Sequence, residues 1–148
     1  MIYEYTTSSS AETIELGRRI GERLRGGDCI AYIGGLGAGK TTMTRGIAMG
    51  MGLEDDVTSP TFTLVNEYRG AGLSLIHFDM YRISSSADLE TTGFFDYMDE
   101  DTVLAVEWSE NTADALPPGT VTVTLERTGD ETRRIMINGD ERFADIGD

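Results

Sequence analysis

The chain has 148 residues, 39% of them hydrophobic and 26% charged, enough for one buried core with little room for a second, so one domain spanning residues 1–148 is expected. Its 26 acidic and 12 basic residues give a net charge of −14, a balance that repels phosphate backbones and excludes non-specific nucleic-acid binding by counterion release; any link to RNA is expected to be indirect. Cys29 is the sole cysteine, which excludes an internal disulfide and a cysteine-rich metal site, and no apolar run reaches the roughly 18 residues of a membrane span. The opening MIYEYTTSSS has neither the basic start nor the hydrophobic centre of a signal peptide, so the expectation is a cytoplasmic protein without membrane contact.

Residues 9 to 25 are expected to form a helix: Ser9 and Glu12 have capping-box spacing, Leu16, Ile20 and Leu24 share one face, and Gly26 and Gly27 end it. The run CIAYI, Cys29 to Ile33, suits a strand buried on both faces of a parallel sheet. Met43, Ile47 and Met51 predict a helix that begins near Lys40 and stops at Gly50 or Gly52. The second half of TSPTFTLVNEY alternates as a strand does, and LSLIHFDMY returns across the short turn RGAG, which predicts a hairpin. A helix-like stretch from Ser85 to about Met98 is followed by TVLAVEW, a further buried strand. TVTVTLER and TRRIMIN, separated by TGDE, form a terminal hairpin, and the last ten residues carry no pattern.

Between the first strand and the second helix lies GGLGAGKTT, which holds the only lysine of the chain; the other basic residues are all arginine. Gly34, four residues (Gly35, Leu36, Gly37 and Ala38), then Gly39, Lys40 and Thr41 satisfy the G-x-x-x-x-G-K-[ST] pattern, and Thr42 follows. Glycines let successive N–H groups turn inward around phosphate oxygens, and the following helix adds its free N–H groups and the positive end of its dipole. A lysine there reaches the β and γ phosphates as a compact charge, where the broad fork of arginine does not fit, while the Thr41 hydroxyl offers a ligand to Mg²⁺. Strand, glycine loop and helix stand in the order the motif requires.

Phosphate chemistry also calls for a metal-holding carboxylate at a strand end. Asp79 in LIHFDMY and Glu107 in LAVEW both close apolar runs, where ligands bind in open parallel sheets. Asp79 is the first choice for Mg²⁺, directly or through water; Glu107 either completes the metal shell or orients an attacking water. His77 shares a strand face with Asp79, but a lone strand histidine is more often packed than catalytic. Trp108 stacks on a base or fills the core, and the hydroxyl-rich segment Thr58, Ser59, Pro60 and Thr61 stands where nucleotide switches sense a γ phosphate.

In this order and in a chain this short, GGLGAGKTT, VTSPTFTLVNEY, HFDMYRI and VEWSEN closely resemble the TsaE (YjeE) family of small bacterial P-loop ATPases. The resemblance implies an α/β fold of the P-loop NTPase type, a three-layer sandwich with a mixed, mainly parallel central sheet and antiparallel hairpins. It also implies ATP and Mg²⁺ as cofactors, slow ATP hydrolysis, and a part in threonylcarbamoyladenosine modification of tRNA beside the partner proteins TsaB and TsaD. The functional positions of the family fall here on Lys40, Thr41 and Thr42, on Asp79, on Glu107 and Trp108, and on a switch-like Thr58 to Thr61. ATP is favoured over GTP by the residues themselves, because the guanine-reading N-K-x-D motif needs a lysine beyond Lys40. The rivals are a P-loop kinase acting on a small molecule, for which Arg82 is the candidate arginine although the sequence offers no obvious lid insertion, and a non-catalytic module whose partner-binding shape ATP selects.

Overall fold

The run Cys29–Ile33 forms a strand with a parallel neighbour on each side, the setting in which a strand reads as a near-continuous apolar run. Around it the chain builds one seven-stranded sheet from β1 (Ile2–Thr7), β2 (Cys29–Ile33), β3 (Val65–Tyr68), β4 (Ser74–Asp79), β5 (Thr102–Glu107), β6 (Val121–Arg127) and β7 (Arg133–Asn138). The computed structural model describes residues 1–34, 38–53, 65–68, 72–79, 100–107, 116 and 119–146. The spatial order is β1-β7-β6-β2-β5-β4-β3. Strands β6, β2, β5 and β4 run parallel, while β7, β1 and β3 pair antiparallel at the margins. This is the mixed α/β arrangement with a parallel centre and antiparallel hairpins that the sequence predicts.

Two helices, α1 (Ser10–Arg23) and α2 (Lys40–Gly50), cover one face of the sheet. The cap of α1 is the expected one, with Ser9 Oγ accepting from the Glu12 N–H at 3.1 Å. Glu12 reaches back to the Ser8 N–H at 3.2 Å instead of to that of Ser9, so the box is displaced by one residue. The helix stops at Arg23, ahead of the glycines, because Leu24 turns extended at φ −75 and ψ 149 and is buried. Leu16 and Ile20 of α1 and Met43 and Ile47 of α2 meet Ile30, Val103, Val121 and Ile135 of the sheet, each fully buried aliphatic side chain contributing about 1.5–3 kcal/mol.

The helices meet at backbone distance. Gly17 and Gly21 on α1 and Gly46 and Gly50 on α2 recur every four residues, which puts each pair on one helix face. A Cβ at Gly46 would lie 2.1 Å from the Ile14 carbonyl oxygen, and one at Gly50 would lie 2.0 Å from that of Arg18. From the other side, Cβ atoms at Gly21 and Gly17 would lie 2.3 Å from the Ile47 oxygen and 2.5 Å from the Met43 oxygen. Helix α2 is therefore braced along its length by α1.

On the second face Cys29, Ala31, Ile76, Phe78, Leu104 and Val106 are buried. Burial lifts the Cys29 thiol to about 12, as befits a packed side chain rather than a reactive one. The helix predicted over 85–98 lies outside the described residues, as do the first half of the strand predicted from TSPTFTLVNEY and the hairpin turn after Tyr68; the described part of that hairpin pairs Val65 with Phe78 and Tyr68 with Leu75.

Two elements have no counterpart in the sequence reading. Strand β1 adds to the edge of β7 and turns Tyr3, Tyr5 and Thr7 inward. The C-terminal segment forms a 3-10 turn at Glu141–Phe143 and buries Phe143 and Ile146 completely. The Tyr5 hydroxyl donates to the Phe143 carbonyl, and Arg142 binds Asp28 at 2.9 Å and the Arg23 carbonyl at 3.1 Å, which ties the tail to the start of β2 and the end of α1.

Candidate functional site

Gly34 leaves β2, and Gly39 is the N-cap of α2, so the strand and helix that flank the predicted loop are in place. Gly39 has φ +106, a conformation that favours glycine, and a Cβ at Gly34 would lie 2.7 Å from the Leu125 carbonyl of β6. Each end of the loop therefore needs its glycine for a different reason. Gly35, Leu36 and Gly37 lie outside the described residues, as do Thr58, Ser59, Pro60, Thr61, Arg82 and Trp108; for Asp79 the backbone alone is described.

The first turn of α2 has neither a side-chain cap nor an acidic residue. Its first intrahelical bond is from the Met43 N–H to the Gly39 carbonyl at 2.8 Å, so the amides of Lys40, Thr41 and Thr42 have no acceptor within the helix. A first turn without a side-chain cap is the arrangement that helix N-termini use where they bind anions.

Lys40 is buried, with 6% of its surface exposed, although ammonium groups rarely leave water. Its Nζ donates to the Gly34 carbonyl at 2.9 Å and lies 3.5 Å from Glu107 Oε1. The other Glu107 oxygen is 2.5 Å from Nε2 of the fully buried His77. Among the described residues neither that oxygen nor either ring nitrogen of His77 has a partner in hydrogen-bond geometry, so the contact is a close polar one. His77 is thus packed, as a lone strand histidine is expected to be, with its ring edge-on to Tyr32 at 6.1 Å. Thr44 Oγ1 lies 2.8 Å from both the Tyr32 hydroxyl and the Lys40 carbonyl, which ties the first turn of α2 to β2.

Two opposed influences set the charge of Glu107. Burial, the largest, pushes its carboxyl up; the neighbouring His77 and the Lys40 ammonium together outweigh it and hold the group below the ordinary carboxylate value. Glu107 is therefore an ionised carboxylate in a nearly water-free setting. Register places Asp79 beside it on β4 and Tyr32 beside it on β2, so the structure brings together Gly34, Lys40, Glu107 and the Asp79 backbone at the carboxyl end of the parallel centre. Thr41 stands half-buried on the adjoining helical turn, next to Thr42.

The donor types here are oxygen, from carboxylate and hydroxyl, which suits Mg²⁺ better than softer metals. Among the described residues no group of three or more His, Cys, Asp or Glu is placed to hold a metal by itself. Tyr32, Thr44 and Arg133 surround the site without having been singled out in the sequence, since nothing in the loop motif points to them.

The chain matches the family model described as threonylcarbamoyl adenosine biosynthesis protein TsaE over residues 7–135. It is 40% identical to tRNA threonylcarbamoyladenosine biosynthesis protein TsaE of Streptomyces coelicolor, over 88% of this chain and 93% of that one. The protein of the same description from Haemophilus influenzae is 44% identical over 73% of this chain and 68% of its own length, and that from Bacillus subtilis 35% identical over 90% and 84%. In three dimensions the chain is similar to the crystal structure of Bacillus subtilis YdiB, with a TM-score of 0.74 at 30% identity, covering 97% of this chain and 89% of that one. The chain belongs to the TsaE family, the threonylcarbamoyl adenosine biosynthesis proteins.

Proposed function

We propose that this protein binds ATP with Mg²⁺, hydrolyses the ATP slowly, and by doing so supports threonylcarbamoyladenosine modification of tRNA beside TsaB and TsaD. The observation that carries this reading is the buried Lys40, held at the mouth of an uncapped helix and 3.5 Å from an ionised carboxylate. Family membership supports the link to the tRNA modification.

In this proposal the amides at the start of α2 and the Lys40 ammonium bind the β and γ phosphates. Thr41, Asp79 and Glu107 are the residues that would hold Mg²⁺, which when bound neutralises charge on the phosphate oxygens. Glu107, ionised and fixed between Lys40 and His77, is suited to orient the attacking water. Trp108 is assigned to the nucleotide, and Thr58 to Thr61 to sensing its γ phosphate. The acidic surface keeps contact with tRNA indirect, through TsaB and TsaD. No helix among the described residues is long and apolar enough to cross a membrane, and a cytoplasmic location is part of the proposal.

The division of labour is testable with Glu107→Ala. Hydrolysis should fall by about 10²-fold or more, the scale of positioned acid–base assistance, while the ATP dissociation constant moves far less. Equal losses in both would make Glu107 a binding residue only. Labelled γ-phosphate should appear in inorganic phosphate; robust transfer to a metabolite would contradict the proposal.

A further inference from the structure

The phosphate loop also touches the β6–β7 hairpin, through a residue with no part in the function proposed above. Arg133, the first residue of β7, donates from Nε to the carbonyl of Ala38 at 3.1 Å. Its Nη1 donates to carbonyls of its own turn, at 2.9 Å to Thr132, 3.3 Å to Gly129 and 3.4 Å to Asp130. The guanidinium is thus fastened to the hairpin at one end and to the phosphate loop at the other. Arginine suits this task because its donors are set in a rigid plane, whereas a lysine offers one flexible head.

The bond fixes more than the carbonyl. All described peptides are trans, and in a planar trans peptide the C=O and the next N–H point in opposite directions. Holding the Ala38 oxygen toward the hairpin turns the Gly39 amide away from it. Gly39 has no side chain to pin this peptide, and at φ +106 it occupies a region where glycine moves freely. The Arg133 bond supplies the restraint that sterics leave out, and a bond from a charged donor is stronger than a neutral one. On β6, Leu125 meets the other end of the loop, where its carbonyl lies 2.7 Å from the place of a Cβ on Gly34.

We propose that Arg133 is a positioning residue that locks the Ala38–Gly39 peptide and thereby aims the Gly39 amide at the phosphates of the bound nucleotide. This rests on the nucleotide reading above.

The test compares ATP binding by titration calorimetry, ATPase turnover and the Gly39 amide signal in ¹⁵N spectra. For Arg133→Met the ATP dissociation constant should rise about tenfold, the usual worth of a hydrogen bond to a charged group. Turnover at saturation should change little, as expected when an interaction is shared by ground state and transition state. The shift of the Gly39 amide on ATP addition should shrink. Arg127→Ala is the control: it removes a 3.1 Å bond to the Gly129 carbonyl in the same turn and leaves the Ala38 contact alone. Its ATP affinity should stay within about twofold of the unaltered protein, the range of ordinary surface substitutions.

Unchanged affinity in Arg133→Met, or an equal loss in Arg127→Ala, would overturn the inference. Should Arg133→Met not fold, Arg133→Ala decides: it leaves no donor for the Ala38 carbonyl, so an affinity below that of the unaltered protein supports the inference and an equal one overturns it. Failure of the unaltered protein to bind ATP is a separate result, which would overturn the nucleotide reading and this inference with it.

Discussion

Lys40→Ala is expected to lower ATP hydrolysis by about 10²-fold or more, since removing one well-placed donor from a water-excluded site costs roughly 3–4 kcal/mol. The effect should exceed that of any arginine in the chain, because Lys40 is the single lysine and is buried beside the strand ends. A second consequence follows from its neighbours. Without Lys40, the buried Glu107 carboxylate loses its ammonium neighbour and the Gly34 carbonyl loses its 2.9 Å donor, so the thermal midpoint should fall as well. Lys40→Arg separates the two effects. It restores a positive charge, and with it part of the lost stability, but its fork does not fit the loop and hydrolysis should stay low. In a reconstituted system with TsaB, TsaD and tRNA, repeated turnover should cease with Lys40→Ala. Intact multiple turnover there would show that ATP chemistry at this loop is dispensable.

Gly46→Ala is expected to destabilise the protein although alanine is the better helix former. The propensity gain is about 1 kcal/mol. Against it stands a methyl group 2.1 Å from the Ile14 oxygen and 2.9 Å from the Arg18 nitrogen and the Gly17 Cα, all backbone atoms that cannot rotate aside. Overpacking costs about 1–3 kcal/mol where neighbours can yield, and rigid backbone puts this case at or above the top of that range. A net loss of about 2 kcal/mol lowers the midpoint of a domain this size by roughly 4–8 °C. Because α2 carries Lys40 and Thr41, ATP affinity should fall with it as the helices part. Thermal unfolding followed by circular dichroism checks the first effect; an unchanged or raised midpoint would show that the two helices separate at little cost.

The parallel centre was legible because burial on both faces leaves a strong imprint on composition. CIAYI and TVLAVE contain no charged residue before their final position, and each became a central strand within a residue of its expected bounds. The start of α2 was legible for a different reason: glycine spacing and the Gly-Lys-Thr run are local features that mark where strand gives way to helix, although residues 35–37 of the loop lie outside the described residues. Strand β1 was not, because its alternation of Tyr3, Tyr5 and Thr7 is short; its pairing with β7 is set 130 residues away. Phe143 and Ile146 were invisible in a tail whose neighbours are polar, and only packing reveals them as core. The glycine seam was hidden because Gly17, Gly21, Gly46 and Gly50 lie inside helices, where sequence logic counts glycine as a weakness rather than as a surface for close approach.

Within the site, the sequence identified Lys40 and Glu107 separately and the structure joins them through one carboxylate that also meets His77. That convergence is not legible from spacing, since the three residues come from α2, β5 and β4. Arg133 escaped notice for the same reason: it reaches the loop from the opposite end of the chain, and one arginine among eleven carries no mark of its partner.

The most direct test of the proposed function is the rate at which labelled γ-phosphate is released from ATP by this protein with Mg²⁺, alone and with TsaB and TsaD present. A slow rate that rises when the pair is added, with the label in inorganic phosphate, is the predicted result. No release in either condition, or label carried to another molecule instead of to water, would contradict it.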